Sequence, residues 1–230
     1  MILFKRQGIA MRKEEILQTL KRDIVTLALK PGTILSETAM SEQFQISRTP
    51  LRDVLKQLAL EQYMNIYPKK GNVVSYIDLE SVEQMIFLRS VLEKEILQSL
   101  SGRLPLPGIL ELRDNLAAQE KAIASADNAH EQFMECDDAF HRTLFQLAGR
   151  SYLWNLLQQS NVHYARYRRL HLLKQEKLQD LFQEHCRILE GLIQGDGPHL
   201  PELIDRHLRE DINSMFLQQN FREFLQPELQ

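Results

Sequence analysis

The chain has 230 residues, 43% apolar and 26% charged, with 28 Lys and Arg against 31 Asp and Glu. This is an ordinary globular composition, long enough for two domains with sizeable cores, and it excludes disordered and collagen-like classes. No apolar run approaches the roughly 20 residues that span a bilayer, and the start MILFKRQGIAMRK lacks a signal-peptide core, so a cytoplasmic protein is expected.

The near-neutral balance conceals a split. Residues 1 to 77 carry twelve Lys and Arg against seven Asp and Glu, a net of +5, and the remainder carries sixteen against twenty-four, a net of −8. A basic head on an acidic body points to nucleic acid as the partner of the head.

In chain order, periodicity predicts a helix from about Arg12 to Leu29, with Leu17, Leu20, Ile24 and Leu27 inward, ending at Pro31-Gly32. A shorter helix, roughly Glu37 to Phe44, leads through the tight Gln45-Ile46 connection to a third that starts near Ser47. There Leu51, Val54, Leu55, Leu58 and Ala59 recur on one face while Arg48, Arg52 and Lys56 step four at a time along another. Ser47 is a good N-cap and Pro50 falls in the first turn, where its missing N–H costs nothing. The third helix thus presents Arg48, Thr49 and Arg52 from its N-terminal end, as a recognition helix does, and Arg is well matched to guanine O6 and N7. Two short strands follow, near Met64 to Pro68 and Asn72 to Tyr76. They are joined by Lys69-Lys70-Gly71, whose lysines are placed to neutralise phosphates and whose glycine can approach a groove closely. Taken singly, the arginine stripe is also what a solvated helix face looks like and the lysine pair what a polar turn looks like. The charge split favours the DNA reading.

After a boundary at Ser75 to Asp78, everything reads as helix. Asp78 caps a helix to about Leu100, which the Arg103 to Gly108 segment terminates, and further helices are predicted over about Ile109 to Ala126, Ala129 to Ala148, Tyr152 to Leu173, Lys177 to Gln194 and Pro201 to Phe221. The fold class is therefore mainly α. Residues 1–77 are expected to form a winged helix-turn-helix, and residues 78–230 an all-α bundle of about six helices.

Chemistry in the bundle concentrates in four residues. Asp137 and His141 lie four apart and so share a helix face, and His185 and His207 each sit mid-helix among apolar positions. One carboxylate and three imidazoles on three helices suit a borderline-hard divalent cation, although each histidine alone is more commonly a hydrogen-bonded core residue. A cation with open coordination positions favours a small anion. Arg89, mid-helix in a core helix, is the candidate guanidinium partner for a carboxylate effector, the alternative being an intrahelical Arg89–Glu93 pair. Tyr164, Arg166, Tyr167, Arg168 and His171 crowd one helix and read as core aromatics mixed with a solvated face. Asp138 reads as solvent-facing or as a support to Asp137. Cys136 and Cys186 fit a reducing compartment and are expected to be free thiols.

The head resembles the winged helix-turn-helix of the GntR superfamily of bacterial transcription regulators through Pro31-Gly32, Leu35-Ser36-Glu37, the run Ser47-Arg48-Thr49-Pro50-Leu51-Arg52-Asp53, and Gly71-Asn72-Val73-Val74. That resemblance implies that Ser47, Arg48, Thr49, Arg52 and Gly71 occupy DNA-contacting positions. Residues 79 to 221 resemble the all-helical FCD ligand-binding domain of the FadR branch. The shared features are Arg89 and Glu93, the run Asp137-Asp138-Ala139-Phe140-His141, Glu184-His185, Gly195-Asp196 and His207-Leu208. By this resemblance Asp137, His141, His185 and His207 bind Zn²⁺, Ni²⁺ or Mn²⁺. Arg150 stands where relatives usually carry asparagine.

The function these readings imply is that of a homodimeric DNA-binding regulator. It binds a double-stranded operator of approximate dyad symmetry, under control of a small carboxylate held near a metal ion. Two other readings share the metal site: a metal sensor with no organic effector, and a mononuclear metal hydrolase. The hydrolase has no recognisable general base and no use for a DNA-binding head, so the chain is expected not to be an enzyme.

Overall fold

The computed structural model describes residues 11–68, 71–125, 128–171, 175–209 and 219–225. The described chain divides into two compact units, one running to Asp78 and including the segment that begins at Phe221, the other spanning Leu79–Asn220.

The first unit is built on α1 (Lys13–Val25), β1 (Ile34–Leu35), α2 (Glu37–Phe44), α3 (Arg48–Leu60), β2 (Met64–Tyr67) and β3 (Gly71–Val74). Its core is apolar: Ile16, Leu17, Leu20 and Ile24 from α1 meet Met40 and Phe44 from α2 and Leu51, Val54, Leu55 and Leu58 from α3. Helix α1 stops four residues before the sequence reading placed its end. Leu27 takes a left-handed φ of 61°, and the turn lets the Leu29 N–H reach the Asp23 carbonyl at 2.8 Å. Ser36 caps α2 through its hydroxyl, which accepts from the Ala39 N–H at 3.4 Å. The tight turn into α3 runs through Gln45 at φ 52°, closed by Ser41, whose hydroxyl donates to the Ile46 carbonyl at 2.5 Å. The sheet has the order β1-β3-β2, antiparallel throughout, with Ile34 opposite Val73 and Tyr67 opposite Gly71. Gly32, at φ 80°, leaves no room for a Cβ, which would lie 2.5 Å from the Tyr76 hydroxyl.

The same unit contains the end of the described chain. The Ile77 N–H donates to the Phe224 carbonyl at 2.8 Å, and Ile77 and Leu225 form a parallel bridge after a single 3₁₀ turn, Arg222–Phe224. Ile77, Phe224 and Leu225 are all buried. The sequence reading had assigned this segment to the second domain.

The second unit holds α4 (Leu79–Leu100), α5 (Leu106–Ile123), α6 (Ala129–Leu147), α7 (Ser151–Gln159), α8 (Val162–His171), α9 (Gln175–Gln194) and α10 (Leu200–Arg209). Among the described residues this makes seven helices where about six were expected. The predicted Tyr152 to Leu173 helix breaks at Ser160 and Asn161, two residues whose short polar side chains compete with the backbone for hydrogen bonds. Helix α5 starts at Leu106, because Pro107 sits in its first turn and opens the helix. Gly108 allows α5 and α6 to touch, since a Cβ there would lie 2.8 Å from Leu147 Cδ2. The apolar stripe of α4 is interrupted at its middle by Arg89 and Glu93, both buried, and that interruption marks the site.

Candidate functional site

Asp137 and His141 project from one face of α6, His185 from α9 and His207 from α10, and all four side chains are buried. One ligand atom from each lies within 4.8 Å of those of the others. Every imidazole is held from behind. His141 Nδ1 is 2.7 Å from Glu93 Oε2 on α4, His207 Nδ1 is 2.8 Å from Glu184 Oε2 on α9, and His185 Nδ1 is 2.8 Å from Gln119 Oε1 on α5. The amide of Gln119 donates in turn to Asn115 Oδ1 at 2.7 Å, so its carbonyl is the end that faces His185 and accepts from Nδ1–H.

His185 and His207 turn Nδ1 to an oxygen acceptor, and His141 Nδ1 lies against the Glu93 carboxylate without hydrogen-bond geometry, so the Nε2 atoms of all three rings face the centre. Burial pushes the His185 and His141 pKa values down, His185 further because His207 and His141 crowd it, so these rings stay neutral. His141 Nε2 and His207 Nε2 nevertheless approach to 3.2 Å, and His185 Nε2 is buried with no hydrogen-bond partner. Lone pairs converging in this way repel unless a cation gathers them. Two nitrogens each about 2.0–2.1 Å from one ion lie close to this separation at a tetrahedral angle. Asp137 completes the set, with Oδ1 3.6 Å from His185 Nε2 and Oδ2 3.9 Å from His141 Nε2. The donor set fits a divalent transition ion, and Asp137, His141, His185 and His207 are the residues that would hold it.

Two arginines flank the cluster. Arg168 on α8 grips Asp137, and its Nη1 donates to Asp138 Oδ1 at 2.6 Å. Burial alone would raise the Asp137 pKa, but the Arg168 guanidinium opposes it and holds the carboxylate ionised. Arg89 donates through Nε to Glu93 Oε1 at 2.7 Å and through Nη1 to the Tyr164 hydroxyl at 2.5 Å, while its buried Nη2 has no partner. Burial is likewise outweighed at Glu93, where Arg89 and His141 bring the carboxyl pKa down to about 2. The intrahelical Arg89–Glu93 pair is thus real, and it leaves one edge of the guanidinium unspent. The ring of Tyr164 lies against both cations, 5.3 Å from Arg89 and 5.6 Å from Arg168. Arg89, Arg168, Asp137, Tyr164 and His207 line a small cavity of about 20 Å³, room for about one water, partly open to solvent.

Sequence reasoning placed the four cluster residues and Arg89 together, as the structure does. It missed Arg168 and Gln119, taking the first for part of a solvated face. Tyr164, Arg168 and His171 are spaced i, i+4, i+7 along α8, with Arg168 half-buried between two buried residues, and Gln119 shares a buried stripe with Leu112 and Ala122 on α5. A polar residue on an apolar stripe was the available signal. Asp138 faces Arg168 as a support to the site, and Cys136 and Cys186 are free.

On the head, Ser47, Arg48, Thr49 and Arg52 are exposed at the start of α3, and Gly71, at φ 93°, is exposed at the start of β3. Ser47 occupies the N-cap position without a side-chain cap bond. Arg52 Nε donates to Glu37 Oε2 at 2.8 Å, and Arg48 Nη2 donates to Thr38 Oγ1 at 3.4 Å. Lys69 and Lys70 lie outside the described residues.

Comparison with known proteins agrees with both halves. Residues 12–74 match the family model described as bacterial regulatory proteins, gntR family, and residues 84–210 match the FCD domain. The chain belongs to the GntR family of bacterial regulators, in its FCD-domain class. It is 33% identical over 197 residues to an uncharacterized HTH-type transcriptional regulator in an unstable DNA locus of Streptomyces ambofaciens, covering 86% of this chain and 82% of that one. It is 28% identical to the HTH-type transcriptional repressor RspR of Escherichia coli K12, over 86% of each chain. Its fold is that of a GntR regulator from Rhodococcus sp. RHA1, with a TM-score of 0.71, 19% identity, and coverage of 90% of this chain and 97% of the other. This GntR-family protein is a transcriptional regulator and not an enzyme. No helix among the described residues is long and apolar enough to cross a membrane.

Proposed function

We propose that this regulator binds one divalent ion through Asp137, His141, His185 and His207, and that a small carboxylate seated beside the ion controls its hold on operator DNA. The observation that carries the reading is the convergence of three outward-anchored imidazoles and an ionised aspartate next to a cavity with an unpartnered guanidinium edge. A bound cation would supply attraction for an anionic oxygen. Arg89, through Nη2, would orient a carboxylate from the α4 side, while Arg168 holds Asp137 in place and keeps the cavity positive. The buried Arg89 Nη2, which has no hydrogen-bond partner beside the cluster, is the feature that favours an anionic organic effector over a regulator that senses metal alone.

In this reading the head contacts an operator through Ser47, Arg48, Thr49, Arg52 and Gly71, with Lys69 and Lys70 neutralising phosphates at the tip of the wing. The protein acts as a homodimer in the cytoplasm, each head taking one half of a site of approximate dyad symmetry. Effector control requires that the carboxylate bind the DNA-competent and DNA-incompetent arrangements with different affinity, by a few kcal/mol for a large change in occupancy.

The test is selection of genomic fragments by the full-length, metal-loaded protein, followed by titration of the recovered site with a panel of small carboxylates. A recovered dyad-symmetric site whose occupancy changes with one carboxylate, and not when Arg89 is replaced by Met, is the expected result. A site that responds to metal and to no carboxylate would leave the metal-sensor reading in its place.

A further inference from the structure

The two arginines at the start of α3 do not hang free. Consecutive residues of α2 reach across to them: Glu37 Oε2 accepts from Arg52 Nε at 2.8 Å, and Thr38 Oγ1 accepts from Arg48 Nη2 at 3.4 Å. Ser36 caps this end of α2, and Met40 and Phe44 anchor the helix in the head core, so the braces stand on a fixed platform. Nothing in the stability of the head requires them. The Arg52 side chain is 59% accessible and that of Glu37 31%, and a pair this open to solvent contributes little to folding.

We infer that Glu37 is a specificity-determining positioning residue that aims Arg52 at a base edge, with Thr38 doing the same more weakly for Arg48. This rests on the reading of α3 as the helix that meets DNA. The argument is one of donor geometry and charge. A guanidinium has five N–H groups in a rigid fork, and the bond to Glu37 uses only Nε–H, leaving the Nη1/Nη2 edge open for the paired acceptors O6 and N7 of a guanine. Holding the arginine at Nε removes rotamers it would otherwise lose on docking. The carboxylate also cancels much of the Arg52 charge, which makes the side chain a poor partner for a phosphate and leaves base recognition as its use. Glu37 therefore trades sequence-independent affinity for discrimination. On α3 itself, Asp53 faces Lys13 of α1 at 3.3 Å, so the acidic neighbour of Arg52 is engaged elsewhere.

A pool of randomised duplexes selected by the full-length protein supplies the probe, with a scrambled duplex as the non-specific reference. Arg52→Ala then identifies the position it reads, as the one base pair where preference is lost. Glu37→Ala is expected to lower discrimination at that same base pair by roughly 10-fold, the scale of one good base contact. It should at the same time strengthen binding to the scrambled duplex and steepen its salt dependence by up to about one phosphate equivalent. Glu37→Gln keeps a carbonyl acceptor for Nε without the charge. It should restore most of the discrimination while retaining the stronger non-specific binding. A merely structural Glu37 would weaken specific and non-specific binding together in Glu37→Ala, or leave discrimination untouched, and either result overturns the inference. If wild type enriches no site, or Arg52→Ala alters no base preference, the DNA reading of α3 falls and the brace with it.

Discussion

The two units solve opposite problems with charged side chains. Among its described residues the head keeps its core free of charged side chains but for Asp23 of α1, which pairs with Arg22, and it holds Arg48 and Arg52 outside at the surface of α2 and α3. The bundle buries Arg89, Glu93, Asp137, His141, His185 and His207 at its centre, each engaged in an interlocking set. Stability and recognition are therefore separable in the head and inseparable in the bundle. In the proposed reading, a surface change on α3 alters what is bound, whereas a change at the cluster alters what is bound and whether the helices stay together.

The sharpest way to break the comparison is Asp137→Ala. It leaves the Arg168 guanidinium buried against Asp138 alone, and removing one partner of a buried pair costs about 3–5 kcal/mol. A calorimetric scan should show the bundle transition falling and the head transition unmoved. Equal shifts in both would mean that the units are energetically one.

Next in size is the response to acid. His141 and His185 have folded pKa values pushed below the ordinary imidazole value of about 6.5 by burial, so below that pH the unfolded chain binds protons that the folded chain does not. Their contribution is fully present above about 6.5 and is lost as pH falls from there through the lower folded values, and release of the proposed ion would add to the loss because protons compete for the same Nε2 atoms. Denaturant titrations between pH 7.5 and about 5 should show the bundle weakening more steeply than the head. A pH-independent bundle midpoint would contradict the neutral, outward-anchored rings.

The smallest effect on folding should come from the arginines. Arg48→Ala and Arg52→Ala should each weaken specific DNA binding by about 1–3 kcal/mol while leaving the head melting transition within about 0.5 kcal/mol of wild type. Unchanged operator affinity in both variants would remove the assignment of α3 as the reading helix.

The same contrast governs what the sequence could reveal. Helix α3 was legible because its signals are local: an N-cap serine, a proline in the first turn and an apolar stripe all fall within a few residues. Strand β1 was not, since two residues, Ile34 and Leu35, are too few to alternate and their pairing with β3 is made across nearly forty residues of chain. The return of Phe224 and Leu225 to Ile77 is longer still in range. In the bundle, the i, i+4 pair Asp137 and His141 was readable on one helix, whereas α8 carries Arg166, Arg168 and Arg169 within four residues and only packing selects Arg168 to face Asp137. The Pro105 to Gly108 segment shows how one local signal admits two readings, because proline both ends a helix and opens one.

The most direct test of the account is the metal content of the purified full-length protein after loading and exhaustive desalting, beside His185→Ala and His207→Ala. About one divalent ion per wild-type chain, lost in both variants while the head transition is retained, is what the converging imidazoles require. A wild-type chain that retains no ion, or variants that hold as much as wild type, would mean that the cluster is a buried polar network and that control of DNA binding resides elsewhere.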